Sequence, residues 1–215
     1  MLETENTVVV VDTGPDFRQQ MLREQVKRLD GVIITHSHKD HIGGLDDLRP
    51  FNYFMNKSID LYTTHDTYQS IIKDYSYIFS SDRYPGAPEI NIVEVDNKPF
   101  LINSLSFNPI HAGHYKIQVM GFRTGDFTYL TDANTIEPRE LEKIKGTKTL
   151  VINALRKKKH PTHFNLSEAL GIISFIKPQR AYLIHVSHQM GKHEVISGEL
   201  PEHVFMAYDG LKIIV

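Results

Sequence analysis

The chain has 215 residues, 40% of them hydrophobic and 23% charged, with a formal net charge of −2. That balance is ordinary for a folded domain and leaves no basic excess for non-specific nucleic-acid binding. There is no cysteine, which excludes disulfides and thiolate-ligated zinc and confines any metal to His, Asp or Glu.

Strand and helix signals alternate along the chain. The start, MLETENTVVVVD, opens on acidic residues and lacks the basic region and long apolar stretch of a signal peptide. No apolar run approaches the ~18 residues that would span a membrane, and with the absence of cysteine this fits a cytoplasmic protein. Thr7 to Asp12 is a β-branched run that predicts a buried strand, followed by the turn Thr13-Gly14-Pro15-Asp16. Phe17, Met21, Leu22 and Val26 predict a helix from Phe17 to Arg28, and Gly31 to Thr35 a second buried strand. A strand over Ile59 to Thr63 and a helix over Thr67 to Phe79 come next. Strand-like segments then crowd together: Ile90 to Val95, Leu105 to Ile110, Ile117 to Arg123 and Phe127 to Thr131, the last two joined by a hairpin turn at Arg123 to Asp126. The remaining elements are a helix from about Glu137 to Lys145, a strand from Thr149 to Asn153, a helix from about Ser167 to Ile176 and a strand from Arg180 to His185. Val204 to Tyr208 and Lys212 to Val215 predict a closing hairpin around Asp209-Gly210. With no repeat or linker, residues 1–215 are read as a single mixed α/β domain with helices packed outside two sheets.

The chemistry concentrates at Thr35-His36-Ser37-His38-Lys39-Asp40-His41-Ile42-Gly43-Gly44, just past a predicted strand. His36 and His38 are two apart, so on extended backbone they point the same way. Asp40 and His41 follow at once. Imidazoles and a carboxylate suit zinc, manganese or iron, and four such groups within six residues are enough to serve two adjacent ions. Gly43 and Gly44 let the backbone turn sharply before a helix. A solvated polar loop would not need this density of ligands at a strand end.

The segment HSHKDHIGG matches the H-x-H-x-D-H-x-G-G signature and resembles the metallo-β-lactamase superfamily. The resemblance implies an αββα sandwich with the site at the sheet ends, and further ligands downstream. A histidine before a β-hairpin is implied, for which His111 and His114 both qualify; His114, ahead of Tyr115-Lys116 and Gly121-Phe122, fits better. A bridging carboxylate is implied at Asp132, after Tyr129-Leu130-Thr131, and a last histidine at His185, with His188 as its competitor. Asp12 matches a first-motif aspartate that orients the histidine loop.

Within the superfamily, Asp12 to Arg18 (DTGPDFR), Leu45 to Arg49 (LDDLR), Pro161 to Phe164 (PTHF), His185 to His188 (HVSH) and the closing Leu200-Pro201 with Tyr208-Asp209-Gly210 resemble the PhnP-type phosphodiesterases from about residue 7 onward. That resemblance implies hydrolysis of a small cyclic phosphodiester, such as 5-phosphoribosyl 1,2-cyclic phosphate, with two divalent ions, zinc or manganese. The ions lower the pKa of a coordinated water, which attacks phosphorus in line. Asp40 ligates and orients the nucleophile, and His163 stands where the family has a catalytic histidine, as a proton donor to the leaving oxygen or a stabiliser of transition-state charge. Arg156, at the head of a basic run through Lys159, is a candidate contact for a substrate phosphate.

The chain departs from the family at its start. It lacks the first strand with its Gly-Thr-Gly turn and the cysteine-bearing loop of a structural zinc, which leaves a sheet edge open to pairing with a second copy as a homodimer. No RNA-binding insertion is visible, so nucleic acid is not the expected partner, and no membrane partner is expected either. RNA or nucleotide processing, thioester hydrolysis and a metal-binding form without catalysis are the alternatives.

Overall fold

The computed structural model describes the whole chain, Met1–Val215, as two compact units, Met1–Ser106 and Phe107–Val215. No helix is long and apolar enough to cross a membrane.

The first unit is built on a five-stranded sheet in the order β1-β2-β3-β4-β5: β1 (Leu2–Glu3), β2 (Val8–Val11), β3 (Gly31–Ile33), β4 (Ile59–Thr63) and β5 (Ile90–Glu94). β1 is antiparallel to β2; the other neighbours are parallel. Parallel neighbours need crossovers. These are α1 (Phe17–Arg23), then α2 (Lys39–Ile42) with α3 (Arg49–Met55), then α4 (His65–Asp74) with α5 (Ser76–Phe79). The crossovers bury one face of the sheet, with Val8, Val10, Val32, Ile34 and Leu61 packed among Phe17, Ile42, Leu45, Leu48 and Ile71. A short β6 (Phe100–Ile102) follows, and its Phe100 ring stacks on Tyr62 at 5.2 Å.

Several expected boundaries move. The helix expected to reach Arg28 stops at Arg23, because Gln25 enters the left-handed region at φ 52°. The edge that the sequence left to Thr7–Asp12 carries β1 over two residues. The helix expected over 67–79 is two helices, broken where Tyr75 leaves helical geometry and its hydroxyl donates to the Ile42 carbonyl at 2.8 Å. The helix expected after Gly43 and Gly44 begins as a 3₁₀ turn over Leu45–Leu48 and continues as α3, whose Arg-Pro-Phe-Asn-Tyr-Phe-Met buries only Phe51 and leaves Tyr53 and Phe54 exposed, so its apolar residues mark no single face from which its length could be read.

In the second unit the sheet runs β10-β7-β8-β9-β11-β12-β13. Its strands are β7 (Leu105–His114), β8 (Ile117–Thr124), β9 (Phe127–Leu130), β10 (Thr135–Ile136), β11 (Thr149–Asn153), β12 (Arg180–Ile184) and β13 (Val204–Met206). The β10-β7-β8-β9 half is antiparallel and the β9-β11-β12-β13 half parallel. The parallel strands are in register, Leu130 opposite Ile152 and Asn153 opposite Ile184, so the segments that leave their C-terminal ends emerge along one sheet edge. Helices α6 (Pro138–Ile144), α7 (Leu166–Ile176) and α8 (His193–Ser197) accompany this sheet, and Ile110, Leu130, Leu150, Ile152, Ile173 and Leu183 form its core.

Two expectations are corrected here. The strand expected to end at Ile110 continues to His114, since β8 pairs with it residue by residue to Ile117 and turns through Tyr115 at φ 56°. The closing hairpin is absent. β13 lies parallel to β12, and residues 212–215 form no strand, with Ile214 90% exposed.

Candidate metal centre

In the first unit one carboxylate organises the histidine loop. Asp12 follows β2 in the left-handed region, φ 61°, a conformation Asp tolerates better than most residues. Its Oδ1 accepts the Thr35 backbone N–H at 2.8 Å, its Oδ2 accepts the Thr35 hydroxyl at 2.9 Å, and Oδ2 lies 2.7 Å from His41 Nδ1. A carboxylate can only accept from these groups, so His41 carries its proton on Nδ1 and turns Nε2 toward a ligand. The same logic runs one step further. The Thr35 hydroxyl has given its proton to Asp12, so at 3.0 Å it accepts the Nδ1–H of His36, and His36 also presents Nε2. This is the carboxylate–histidine support that orients metal-binding imidazoles.

His36 is fully buried, its ring 4.1 Å from that of His41 and 4.7 Å from that of His38. Its Nε2 lies 3.1 Å from His38 Nδ1. Two donors bound tetrahedrally to one zinc ion at ~2.0–2.1 Å sit roughly 3.3 Å apart, so this pair has the spacing of two ligands to one ion. Asp40, on α2, is exposed and its Oδ2 stands 3.4 Å from His41 Nε2. The glycines serve space rather than turning. Gly43 and Gly44 have negative φ, but a Cβ on Gly44 would meet the Gly14 carbonyl oxygen at 2.5 Å and Phe17 Cβ at 2.8 Å.

The second unit gathers His114, Asp132, His163 and His185. Asp132 follows β9 and His185 follows β12, both in the left-handed region, at φ 58° and 53°. Such backbone costs of order 1–3 kcal/mol and concentrates at functional sites. Asp132 is buried and faces a different histidine with each oxygen: Oδ1 is 3.2 Å from His185 Nδ1, and Oδ2 is 3.2 Å from His163 Nε2. The ligand atoms of His114, Asp132 and His163 all lie within 4.8 Å of one another. His114 Nδ1 donates to the Thr162 carbonyl at 2.7 Å, which puts the ring's proton on Nδ1 and orients the imidazole.

This geometry bears on the open alternatives. His111 and His114 are three apart on one strand and so lie on opposite faces; His114 is the one grouped with Asp132. His185 meets Asp132, while His188 is exposed. Arg156 is occupied elsewhere. It donates to the Lys158 and Lys159 carbonyls at 3.2 and 2.8 Å and to Gln189 Oε1 at 2.6 Å. Thr35, Thr162 and His160 were not singled out from the sequence. A Thr-His pair precedes both sites, yet Thr64-His65 has it too and His65 is exposed, so the pair alone is no signal.

The donor set is therefore chemically suited to divalent ions: hard and borderline N and O donors, supported behind, at ligand spacing. A family model for the β-lactamase superfamily domain matches residues 7–186. The chain is 35% identical over 209 residues to an octanoyltransferase of Porphyromonas gingivalis, covering 96% of this chain but 42% of that protein, so it spans less than half of that relative's length. It is 32% identical over 94 residues to the anti-Pycsar protein Apyc1 of Bacillus phage 010DV004, 42% of this chain and 34% of that protein. Among solved structures, a diphosphatase from the PhnP family superposes with a TM-score of 0.91 at 32% identity, over 99% of this chain and 82% of that one. The chain thus has the metallo-β-lactamase fold and belongs to the β-lactamase superfamily, in its PhnP family.

Proposed function

We propose that the chain is a dinuclear phosphodiesterase that opens a small cyclic phosphodiester. On this reading His36, His38, Asp40, His41, His114, Asp132 and His185 would hold two divalent ions, zinc or manganese, and both units act as one domain. When bound, the ions acidify the attacking water and draw charge from the non-bridging phosphate oxygens. The chain's own groups do the rest. Asp40 accepts a hydrogen bond from the attacking water and orients it. His163 Nε2 holds a proton beside the candidate bridging carboxylate and delivers it to the leaving oxygen as the P–O bond breaks. The water adds its hydroxyl to phosphorus and releases one proton, which restores that of His163.

The observation that carries this reading is Asp132 with a histidine on each oxygen: His185 as ligand and His163, just ahead of α7, as proton donor. The protein, loaded with Mn²⁺ or Zn²⁺, is assayed on 5-phosphoribosyl 1,2-cyclic phosphate, 2′,3′-cyclic nucleotides and a nucleoside diphosphate. Turnover of a cyclic phosphodiester that falls about 10²–10⁴-fold in His163→Ala supports it; turnover of the diphosphate alone, or full activity in the variant, overturns it. A second reading, acyl-group hydrolysis, is favoured by the octanoyltransferase relative that matches nearly the whole chain. An octanoyl thioester in the same assay separates the two.

A further inference from the structure

We propose that Thr162 and His160 are positioning residues for His163, linked as a hydrogen-bond chain His163 Nδ1–H to Thr162 Oγ1–H to His160 Nδ1. The inference rests on the reading of His163 as proton donor. The distances are 2.6 Å from His163 Nδ1 to Thr162 Oγ1 and 3.1 Å from Thr162 Oγ1 to His160 Nδ1.

The direction of the chain follows from a group whose role is fixed. The Thr162 backbone N–H also points at His160 Nδ1, at 3.3 Å. A backbone N–H only donates, so His160 Nδ1 is an acceptor and its ring proton sits on Nε2. The Thr162 hydroxyl then donates to His160, and its oxygen accepts the Nδ1–H of His163. Burial, reinforced by Arg156, His163 and His114, holds the His160 pKa below its ordinary value, in keeping with an imidazole that accepts.

The consequence is mechanistic. When His163 Nε2 gives its proton to the leaving oxygen, the ring that remains is the Nδ1–H tautomer, the form Thr162 already holds. Thr162 thereby ties two site histidines at once, His114 through its carbonyl and His163 through its hydroxyl. The loop is fixed at both ends: Arg156 clamps the Lys158 and Lys159 carbonyls ahead of His160, and Asn134 Nδ2 donates to the Pro161 carbonyl at 2.7 Å. The chain uses the same device as His36–Thr35–Asp12, with a histidine in place of the terminal carboxylate.

Thr162→Val removes the hydroxyl at nearly constant volume and leaves the carbonyl that holds His114; Thr162→Ser restores the hydroxyl. His160→Ala removes the acceptor, and His160→Asn returns one. Two readouts are taken. Nitrogen NMR of isotope-labelled histidine rings, in metal-free and zinc-loaded protein, reports which nitrogen of His163 is protonated. Kinetics compare a cyclic phosphodiester, whose alkoxide leaving group needs a proton, with bis(p-nitrophenyl) phosphate, whose phenolate does not. The expected result is Nδ1–H in the wild type and in Thr162→Ser, lost in Thr162→Val. It is accompanied by a fall in kcat of about tenfold on the cyclic ester at similar KM, a much smaller fall on the nitrophenyl ester, and rescue by Thr162→Ser and His160→Asn. A wild-type His163 ring with no proton on Nδ1, or an equal loss on both esters, overturns the proposal. A wild type that turns over neither ester overturns the phosphodiesterase reading, and the ring-nitrogen spectra still decide the chain.

Discussion

Asp12 illustrates how much one side chain fixes. Its two oxygens receive the Thr35 N–H, the Thr35 hydroxyl and the His41 ring, and through Thr35 they also set His36. Asp12→Asn keeps the shape but replaces one acceptor oxygen by a donor facing groups that themselves donate. The expected outcome is metal affinity weaker by about 10–100-fold with the fold intact, read by competition against a chromogenic chelator. Unchanged affinity would show that the imidazoles hold their orientation without Asp12. The residue scale also explains the glycine pair after the ligands. Gly44 packs against the Gly14 carbonyl and Phe17, so the requirement is for volume, and no unusual φ enters.

The elements deliver these residues with little slack. α7 is started by a capping box, in which the Asn165 side chain accepts from Glu168 N–H and Glu168 returns a bond to the Asn165 N–H, so the helix cap stands two residues after His163. β7 is held to α6 by Glu140, a buried carboxylate that accepts the His111 N–H at 2.8 Å and pairs with Lys143 at 2.8 Å. Burial acts to raise the Glu140 pKa, but the bonds from Lys143 and His111 outweigh it and hold the group below its ordinary value of 4.5. A carboxylate depressed in the folded state stabilises above its unfolded pKa, and that contribution disappears as pH falls through the folded value. Glu140→Gln is expected to cost about 1.5–3 kcal/mol near neutral pH, the scale of a hydrogen bond to a charged group, with the deficit shrinking as the pH is taken well below 4.5. Urea titrations of both proteins at neutral and acid pH check this, and a pH-independent deficit would assign the loss to packing.

For the whole molecule, the proposed ligands, spread from residue 36 to residue 185, would make ion binding and folding one equilibrium. Ions held by the native state alone stabilise it by about 4 kcal/mol at a thousandfold excess over Kd. For a chain of this size, removal with a chelator is expected to lower Tm by roughly 8–16 °C, followed by circular dichroism with and without re-addition of zinc. An unchanged Tm would mean that the side chains gathered here hold no ion.

His36, His38, Asp40 and His41 were legible because they lie within six residues, where spacing on one loop already dictates convergence, and the strands beneath them were legible as β-branched runs. Their match to a known signature extended the reading to His114, Asp132 and His185, and the PhnP-type resemblance added His163, none of which any local spacing joins. Only the tertiary structure decided how that second set meets. β9 and β12 run parallel with β11 between them, in register, so residues far apart in sequence leave the same edge and Asp132 reaches His185. It also decided the supports behind the ligands. Thr35, Thr162 and His160 are ordinary residues in a linear reading, and their roles come from which donor faces which acceptor, a relation that exists only once loops distant in sequence are packed together.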